Sequence, residues 1–96
     1  MHYSKLRAFH AVATQGGFSK AAEHLHLTQP TLSDQVRKLE IDFDILLFNR
    51  NSRSVTMTEA GKHLLLITTR MFECESEAME FLQETQDLLT GNLTLS

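Results

Sequence analysis

Residues that interrupt regular structure are scarce in this sequence. Its 96 residues include one proline and four glycines, whereas chains rich in turns use both residue types often. The scarcity favours a few long helices over many short strands. A chain of this length has enough residues for one small core.

Cysteine is nearly absent, and long apolar runs are absent. The single cysteine, Cys74, excludes a disulfide framework and an ordinary cysteine zinc site, and it suits a reducing cytoplasm. Apolar runs such as Leu64–Ile67 are far shorter than the about 20 residues that cross a bilayer. No apolar signal-peptide segment follows Met1. We therefore expect a cytoplasmic protein without a membrane span.

The charged residues are distributed unevenly along the chain. The net charge is −3, which is unexpected for a protein that binds an anion. Residues 1–57, however, carry seven Lys/Arg against five Asp/Glu, a charge of +2, and residues 58–96 carry two against seven, a charge of −5. This asymmetry indicates an anion-facing part joined to a part that faces solvent or protein.

The spacing of apolar residues predicts four helices. In the third of them, Leu32, Val36, Leu39 and Phe43 step by four, three and four and form one stripe that we expect to be buried. Gly16 is placed to end the first helix. The predicted helices span residues 4–15, 19–26, 28–43 and 58–89, and their N-caps are Ser4, Ser19, Thr28 and Thr58.

Between the third and fourth helices the sequence indicates a β-hairpin. Two short runs of strand-forming residues, 45–50 and 55–57, flank the polar, turn-prone segment 51–54. After the fourth helix, which Gly91 ends, residues 92–96 alternate like the beginning of a strand. We therefore expect the chain to be cut where a further domain begins.

The second and third predicted helices form a close pair. Ala21 and Ala22 on the inner side of the second helix let another helix cross it at short distance. Two such helices joined by a tight turn describe a helix-turn-helix, whose second helix lies in the major groove of DNA. The predicted fold class is mostly α: a winged helix-turn-helix of three helices and a two-stranded wing, followed by a long helix.

Side chains suited to DNA lie on the outer face of the third helix and in the hairpin. Gln29 is able to read adenine through two hydrogen bonds, and Arg37 to reach guanine or phosphate. Lys20 suits a phosphate, and Arg50 and Arg53 suit a wing that reaches the DNA backbone or the minor groove. The predicted DNA-binding residues are Ser19, Lys20, Thr28, Gln29, Pro30, Thr31, Ser33, Asp34, Arg37, Arg50 and Arg53. From spacing alone, a small fold with solvated polar faces stays open as the alternative.

A recurring pattern of residues extends over about residues 3–66, in register and without a gap. Its positions are Leu6, Phe9, Val12, Ala13, Gly16, Phe18, Ser19, Ala21, Ala22, Leu25, Gln29, Pro30, Ser33, Gln35, Val36, Leu39, Glu40, Leu47, Phe48, Arg50, Thr58, Glu59, Ala60 and Gly61. This pattern resembles the N-terminal part of the LysR-type transcriptional regulators. The resemblance implies a bacterial dimer or tetramer that binds double-stranded promoter DNA and responds to a small-molecule inducer. In that family the inducer binds a C-terminal domain, so we expect no cofactor within these 96 residues.

The resemblance also divides the chain. It implies a DNA-binding domain over residues 1–57, a linker and dimerisation helix over 58–90 and the start of an effector-binding domain over 91–96. Residues 91–95 look like the family's transition into that domain.

Five residues depart from the family pattern. Gly17 stands where serine is usual, which removes one capping or phosphate contact, and Phe43 and Met57 replace leucines in what should be tolerable core exchanges. Asp44 replaces the glycine that ends the recognition helix, and we expect it to adopt the left-handed conformation. Asp34 lies on the reading face and repels phosphates, so we expect a position that makes no contact, or one that accepts from a cytosine amino group.

The fourth helix carries more apolar surface than a lone exposed helix does. We expect it to pack against its own domain and, as the resemblance implies, against the same helix of a second chain. One heptad frame defines a row of mainly apolar positions, here called the seam, which consists of Leu64, Ile67, Met71, Cys74, Ala78, Phe81, Thr85 and Leu88. The predicted dimer residues on and beside the seam are Leu64, Ile67, Met71, Cys74, Ala78, Phe81, Leu82 and Leu88.

Two further interpretations stay open. A molybdate-type regulator has a similar helix-turn-helix, although its wing is richer in glycine than residues 51–54. The second is a dimerisation or protein-docking module that has lost DNA contact. Asp34, Gly17 and the negative net charge of the whole chain support this alternative.

Enzymatic and metal-binding functions have no support in the sequence. It contains no glycine-rich phosphate loop, nucleophile elbow or paired acid and base. The five histidines lack companions at metal-ligand spacing. Cys74 lies on the seam and is expected to be a small packing residue rather than a redox sensor.

Overall fold

The computed structural model describes residues 2–50 and 55–90, which form four helices and one short hairpin. The predicted order of elements is confirmed, and the chain has the mostly α fold expected. The strands are antiparallel, with Phe48 opposite Met57 and Asn49 opposite Thr56. The elements are α1 (Tyr3–Gln15), α2 (Phe18–Leu25), α3 (Gln29–Phe43), β1 (Phe48–Asn49), β2 (Thr56–Met57) and α4 (Glu59–Thr90).

Threonine side chains cap α3 and α4 as predicted. The Thr28 hydroxyl accepts from the Thr31 N–H at 3.2 Å, and the Thr58 hydroxyl accepts from the Gly61 N–H at 3.0 Å. Each bond satisfies one of the N–H groups that lack a partner in a first helical turn.

The predicted caps of α1 and α2 are wrong. Both helices begin before the serine, at Tyr3 and Phe18, so that Ser4 and Ser19 are the second helical residues. Packing explains the shift of α2: the partly buried Phe18 ring lies 5.8 Å from the Phe48 ring, and this apolar contact outweighs a serine cap worth about 1 kcal/mol. Gly17 precedes α2 and supplies no side-chain cap, in line with the contact expected to be lost there.

Three residues in the left-handed conformation end the first three helices. Gly16 has φ +87°, His26 φ +59° and Asp44 φ +51°. The expectation for Asp44 is confirmed, and its N–H bonds back to the Ile41 carbonyl at 3.2 Å. A non-glycine residue costs about 1 kcal/mol in this conformation.

The core lies where α1 crosses α2 and α3. Phe9, Val12, Leu32 and Val36 are its largest fully buried apolar side chains. Ala21 is also fully buried, which confirms that α2 needs small residues where it crosses another helix.

Phe43 corrects the predicted buried stripe of α3. It is 59% exposed, whereas Glu40 is only 5% exposed and occupies the inner position four residues after Val36. The Phe43 ring packs at the rim, 5.1 Å from the His2 ring. The pattern Leu32, Val36, Leu39 is otherwise confirmed.

The first strand is also shorter than the predicted run 45–50. The backbone N–H and the carbonyl of Leu47 both form hydrogen bonds outside the two-residue β-ladder. Its N–H donates to Glu40 Oε2 at 2.7 Å, and its carbonyl accepts from the Thr58 N–H at 3.0 Å. Residues 45–47 therefore link α3 to β1 as irregular structure.

The first half of α4 packs on α1 through a face next to the seam. Thr68 is 1% exposed, and its hydroxyl lies 2.8 Å from His10 Nδ1. Burial lowers the pKa of His10 below its ordinary 6.5, so the imidazole is a neutral partner at pH 7. Further along, the Phe72 ring lies 4.9 Å from the His10 ring, and the Tyr3 hydroxyl donates to Glu75 at 2.8 Å.

Gly61 lets α4 begin directly against the segment before β1. A Cβ at this position would overlap the Leu47 carbonyl oxygen, a rigid backbone atom. Only glycine therefore fits where the first turn of α4 meets residues 45–47.

We predict that Gly61→Ala destabilises the fold by about 2 kcal/mol, because the overlap outweighs the gain of up to about 1 kcal/mol from better helix propensity. Gly17→Ala is the matched control, since a Cβ there meets nothing within 4 Å; its effect should stay within about 0.5 kcal/mol. Urea unfolding followed by circular dichroism measures both variants. An alanine at 61 that leaves the midpoint unchanged would contradict this view of the contact.

Candidate nucleic-acid interface

The N-terminal end of α3 presents a rigid and exposed turn. Thr28, Gln29, Pro30 and Thr31 are all exposed, and Pro30 is the second helical residue, where its missing N–H breaks no hydrogen bond. The Thr28 hydroxyl accepts from the Thr31 N–H and donates to the Thr31 hydroxyl at 2.9 Å. The backbone of the predicted reading end is thus held in place from within.

α2 contributes to the same surface. The Ser19 hydroxyl donates to Gln29 Oε1 at 3.1 Å, and Lys20 lies beside it with an exposed side chain. The turn between α2 and α3 therefore brings together three of the predicted residues, Ser19, Lys20 and Gln29.

The exposed face of α3 continues past its first turns to Asp34 and Arg37; Ser33 beside them is partly buried. Asp34 pairs with Lys38 one turn later at 3.1 Å, and both side chains are more than half exposed. Such a surface pair is worth at most about 0.5 kcal/mol, but it places a cation beside the carboxylate that was expected to repel phosphates.

The Arg50 side chain, which the sequence placed in the DNA-facing wing, contacts residues of its own domain. Its guanidinium lies 3.0 Å from Glu40 Oε1 and 5.3 Å from the centre of the Phe18 ring. Glu40 Oε2 accepts from the Leu47 N–H at 2.7 Å and the Phe48 N–H at 3.2 Å. The DNA contact of Arg50 stays a prediction. In the structure, Arg50 links the first strand of the wing to Glu40 of α3 and Phe18 of α2.

Sequence reasoning missed Glu40 as a positioning residue. The available signal was its spacing, since position 40 follows Val36 by one helical turn and therefore lies on the inner face of α3. A carboxylate on an inner face requires hydrogen-bond donors, and Arg50 and the backbone of residues 47 and 48 supply them.

Arg53 lies in residues 51–54, outside the described residues, so its contact with DNA stays a prediction.

Within residues 2–50 and 55–90, no helix is both long and apolar enough to cross a membrane. In the same residues, no group of three His, Cys, Asp or Glu side chains is placed to hold a metal ion.

This combination of a three-helix core, a polar exposed α3 and a hairpin defines a winged helix-turn-helix. The family model described as "Bacterial regulatory helix-turn-helix protein, lysR family" matches residues 3–62. The chain therefore belongs to the LysR family of bacterial regulatory helix-turn-helix proteins, and the resemblance seen in the sequence is confirmed.

Relatives in two organisms show the extent of the similarity. An uncharacterised HTH-type transcriptional regulator of Azotobacter vinelandii is 40% identical over 96 residues, which cover 100% of this chain and 67% of that protein. A probable RuBisCO transcriptional regulator of Phaeodactylum tricornutum is 41% identical over 91 residues, which cover 95% of this chain and 30% of that protein. The chain thus spans less than a third of the length of this second relative.

Solved structures of two DNA-binding domains share the fold. The BenM domain in complex with catB site 1 DNA superposes with a TM-score of 0.81 at 31% identity, covering 88% of this chain and 94% of that one. The CbnR domain in a DNA complex superposes with a TM-score of 0.75 at 30% identity, covering 88% and 98%.

The Glu40–Arg50 pair is expected to couple the wing to α3 energetically. Glu40→Gln should destabilise the fold by about 1–3 kcal/mol, because the amide is a weaker acceptor and Arg50 loses its partner. In a double-mutant cycle with Arg50→Met, the coupling should be about 1 kcal/mol, a value reduced because the Arg50 side chain is 30% exposed.

The control cycle uses Asp34→Asn and Lys38→Met, a pair of the same charges on the exposed face. Its coupling should be at most about 0.5 kcal/mol. Urea unfolding at low salt measures both cycles, and equal coupling in the two pairs would contradict a positioning role for Glu40.

Proposed function

We propose that this chain is the DNA-binding part of a bacterial transcriptional regulator and that it binds promoter DNA as a dimer. The observation that carries the proposal is the exposed, internally held N-terminal turn of α3, in a fold that superposes with a TM-score of 0.81 on a domain in complex with DNA. Gln29, Pro30 and Thr31 on that turn would meet base edges in the major groove.

The surrounding residues supply the sequence-independent contacts. Lys20 on α2 and Arg37 further along α3 are exposed and have the reach and charge for phosphates. Residues 1–57 carry a charge of +2, while the acidic excess belongs to residues 58–96. Acidity of the whole chain is therefore compatible with DNA binding by its first part.

The complete regulator would contain more than this chain. We propose that an effector-binding domain begins within residues 91–96, that it binds a small-molecule inducer, and that the regulator acts in the cytoplasm as a dimer or tetramer without enzymatic activity. These proposals rest on family membership and on relatives of greater length.

Binding titrations at several salt concentrations test DNA recognition. We expect the affinity for an operator fragment to fall steeply as salt rises from about 50 to about 200 mM, because phosphate contacts release counterions. Gln29→Ala should lose about 1–3 kcal/mol of discrimination at one base pair, while Arg53→Ala should weaken all sequences alike and lower the salt slope by about one.

Arg7→Ala, on the exposed surface of α1 and outside the predicted DNA and dimer residues, is the matched control for loss of one positive charge. If the wild type binds no DNA fragment in a salt-dependent way, the winged helix is instead a protein-docking module, the alternative left open above.

We further propose that α4 forms the dimer through its seam. Its own domain uses the adjacent face, through Leu65, Thr68 and Phe72. The seam is left largely uncovered: Phe81 is 63% and Leu88 68% exposed. Of the remaining predicted dimer residues, Leu64 and Met71 are partly buried and Ile67, Cys74, Ala78 and Leu82 are exposed.

An apolar groove continues the seam onto the domain. It has a volume of about 560 Å³ and is lined by Phe43, Ile45, Leu64 and Ile67 among others. We propose that the second half of the α4 of another copy occupies it. Apolar surface of this extent on one side of a helix is typical of an interface.

Charge favours an antiparallel arrangement of the two α4 helices. Residues 73–90 contain six Asp/Glu and no Lys/Arg, whereas Lys62 and Arg70 lie in the first half. Antiparallel pairing sets the acidic half of one helix beside the basic residues of the other, and parallel pairing would set acid against acid.

Phe81→Glu should shift the chain from dimer to monomer and raise the dissociation constant at least about tenfold, because it buries a charge and removes apolar contact from both copies. Gln83→Glu adds the same charge on the opposite face of α4 and should leave the mass unchanged. Sedimentation equilibrium measures both variants. An unchanged mass for Phe81→Glu would remove the seam from the proposed interface.

A further inference from the structure

We propose that Ser19 is a positioning residue that sets the base preference of Gln29. Its hydroxyl holds the Gln29 side-chain amide by the oxygen, so that the Nε2 amino group is the part offered to DNA. Gln29 would then act first as a hydrogen-bond donor toward an acceptor on a base edge. This inference deepens the proposed DNA-binding function and rests on it.

The position of Ser19 in α2 makes the contact available. α2 begins at Phe18, so Ser19 is its second residue, and its side chain caps nothing. The hydroxyl spans the turn between the two helices and donates to Gln29 Oε1 at 3.1 Å. Had α2 begun after Ser19, as the sequence suggested, this hydroxyl would have been used on the backbone of α2 instead.

Gln29 is thereby held at both ends. Gln29 is the first residue of α3, and the Thr28 cap fixes the backbone of that turn. Its amide is fixed by Ser19. A free glutamine amide rotates and presents either its oxygen or its nitrogen outward, whereas this one has its oxygen engaged.

The donor arrangement predicts which base is read. In the major groove, guanine offers N7 and O6, adenine N7 and thymine O4 as acceptors, while cytosine offers only its N4 amino donor. An outward Nε2 amino group therefore selects against cytosine at the contacted position. With adenine, the second lone pair of Oε1 stays available for a paired contact.

The same bond argues against Ser19 as a simple phosphate contact. A serine hydroxyl has one hydrogen to donate, and Gln29 Oε1 receives it. A phosphate oxygen is an acceptor and needs that hydrogen. Lys20, the neighbouring exposed residue, carries a charged ammonium group with three donor hydrogens and is the better candidate for the phosphate contact.

The test uses the whole chain and a preferred DNA sequence selected from a random pool by the wild type. Single base-pair variants of that sequence locate the position at which Gln29→Ala loses discrimination. Ser19→Ala should lower discrimination at that base pair alone, by about three- to tenfold, the effect of one neutral hydrogen bond. It should have no further effect when combined with Gln29→Ala.

Two variants serve as controls. Ser4→Ala removes the exposed hydroxyl of the second residue of α1, the equivalent place in another helix, and should change nothing. Ser19→Thr keeps a hydroxyl and should restore discrimination. Thermal unfolding of each variant checks that the fold is retained.

Three results would overturn the inference. If Ser19→Ala weakens all sequences equally, Ser19 contacts phosphate. If discrimination is unchanged, the amide is oriented without Ser19. A wild type that enriches no sequence at all overturns the proposed function together with the inference, whereas the first two results leave that function standing.

Discussion

The carboxylate of Glu40 is the constraint on which the arrangement of the domain depends. It lies on the inner side of α3 and accepts from the backbone N–H groups of Leu47 and Phe48, where β1 begins, and from Arg50 directly after β1. A buried ion pair adds little net stability compared with apolar packing. Its effect is geometric, because it allows one position of the wing base relative to α3.

The backbone of Leu47 extends this constraint to α4. Its N–H is bound by Glu40, and its carbonyl is bound by the first residue before α4, Thr58, in a space that Gly61 keeps open. One peptide segment thus connects the helix proposed to read DNA with the helix proposed to pair two copies. A displacement of α4 would therefore move this segment and, through it, Glu40 near the C-terminal end of α3, since tightly packed contacts do not deform gradually.

The fold was predictable because apolar spacing, threonine caps and turn residues all indicated the same elements. Errors arose where a tertiary contact outweighed a local preference. Serine was expected to begin α2, but packing of Phe18 extended the helix, and this extension freed Ser19 to reach Gln29. Glu40 and Thr68 were missed because polar residues are assigned to solvent unless their partners, distant in sequence, are known.

The separation of charge along the chain has a consequence for how the molecule approaches any polyanion. Residues 1–57 carry a net positive charge, and all charged residues in the second half of α4 are acidic. The two parts together form an electric dipole that extends over the length of the chain. In the field of DNA, each such chain experiences a torque that turns its basic domain toward the phosphates. Encounters would then begin with α3 toward DNA, and the acidic residues would help to orient the molecule without contacting DNA.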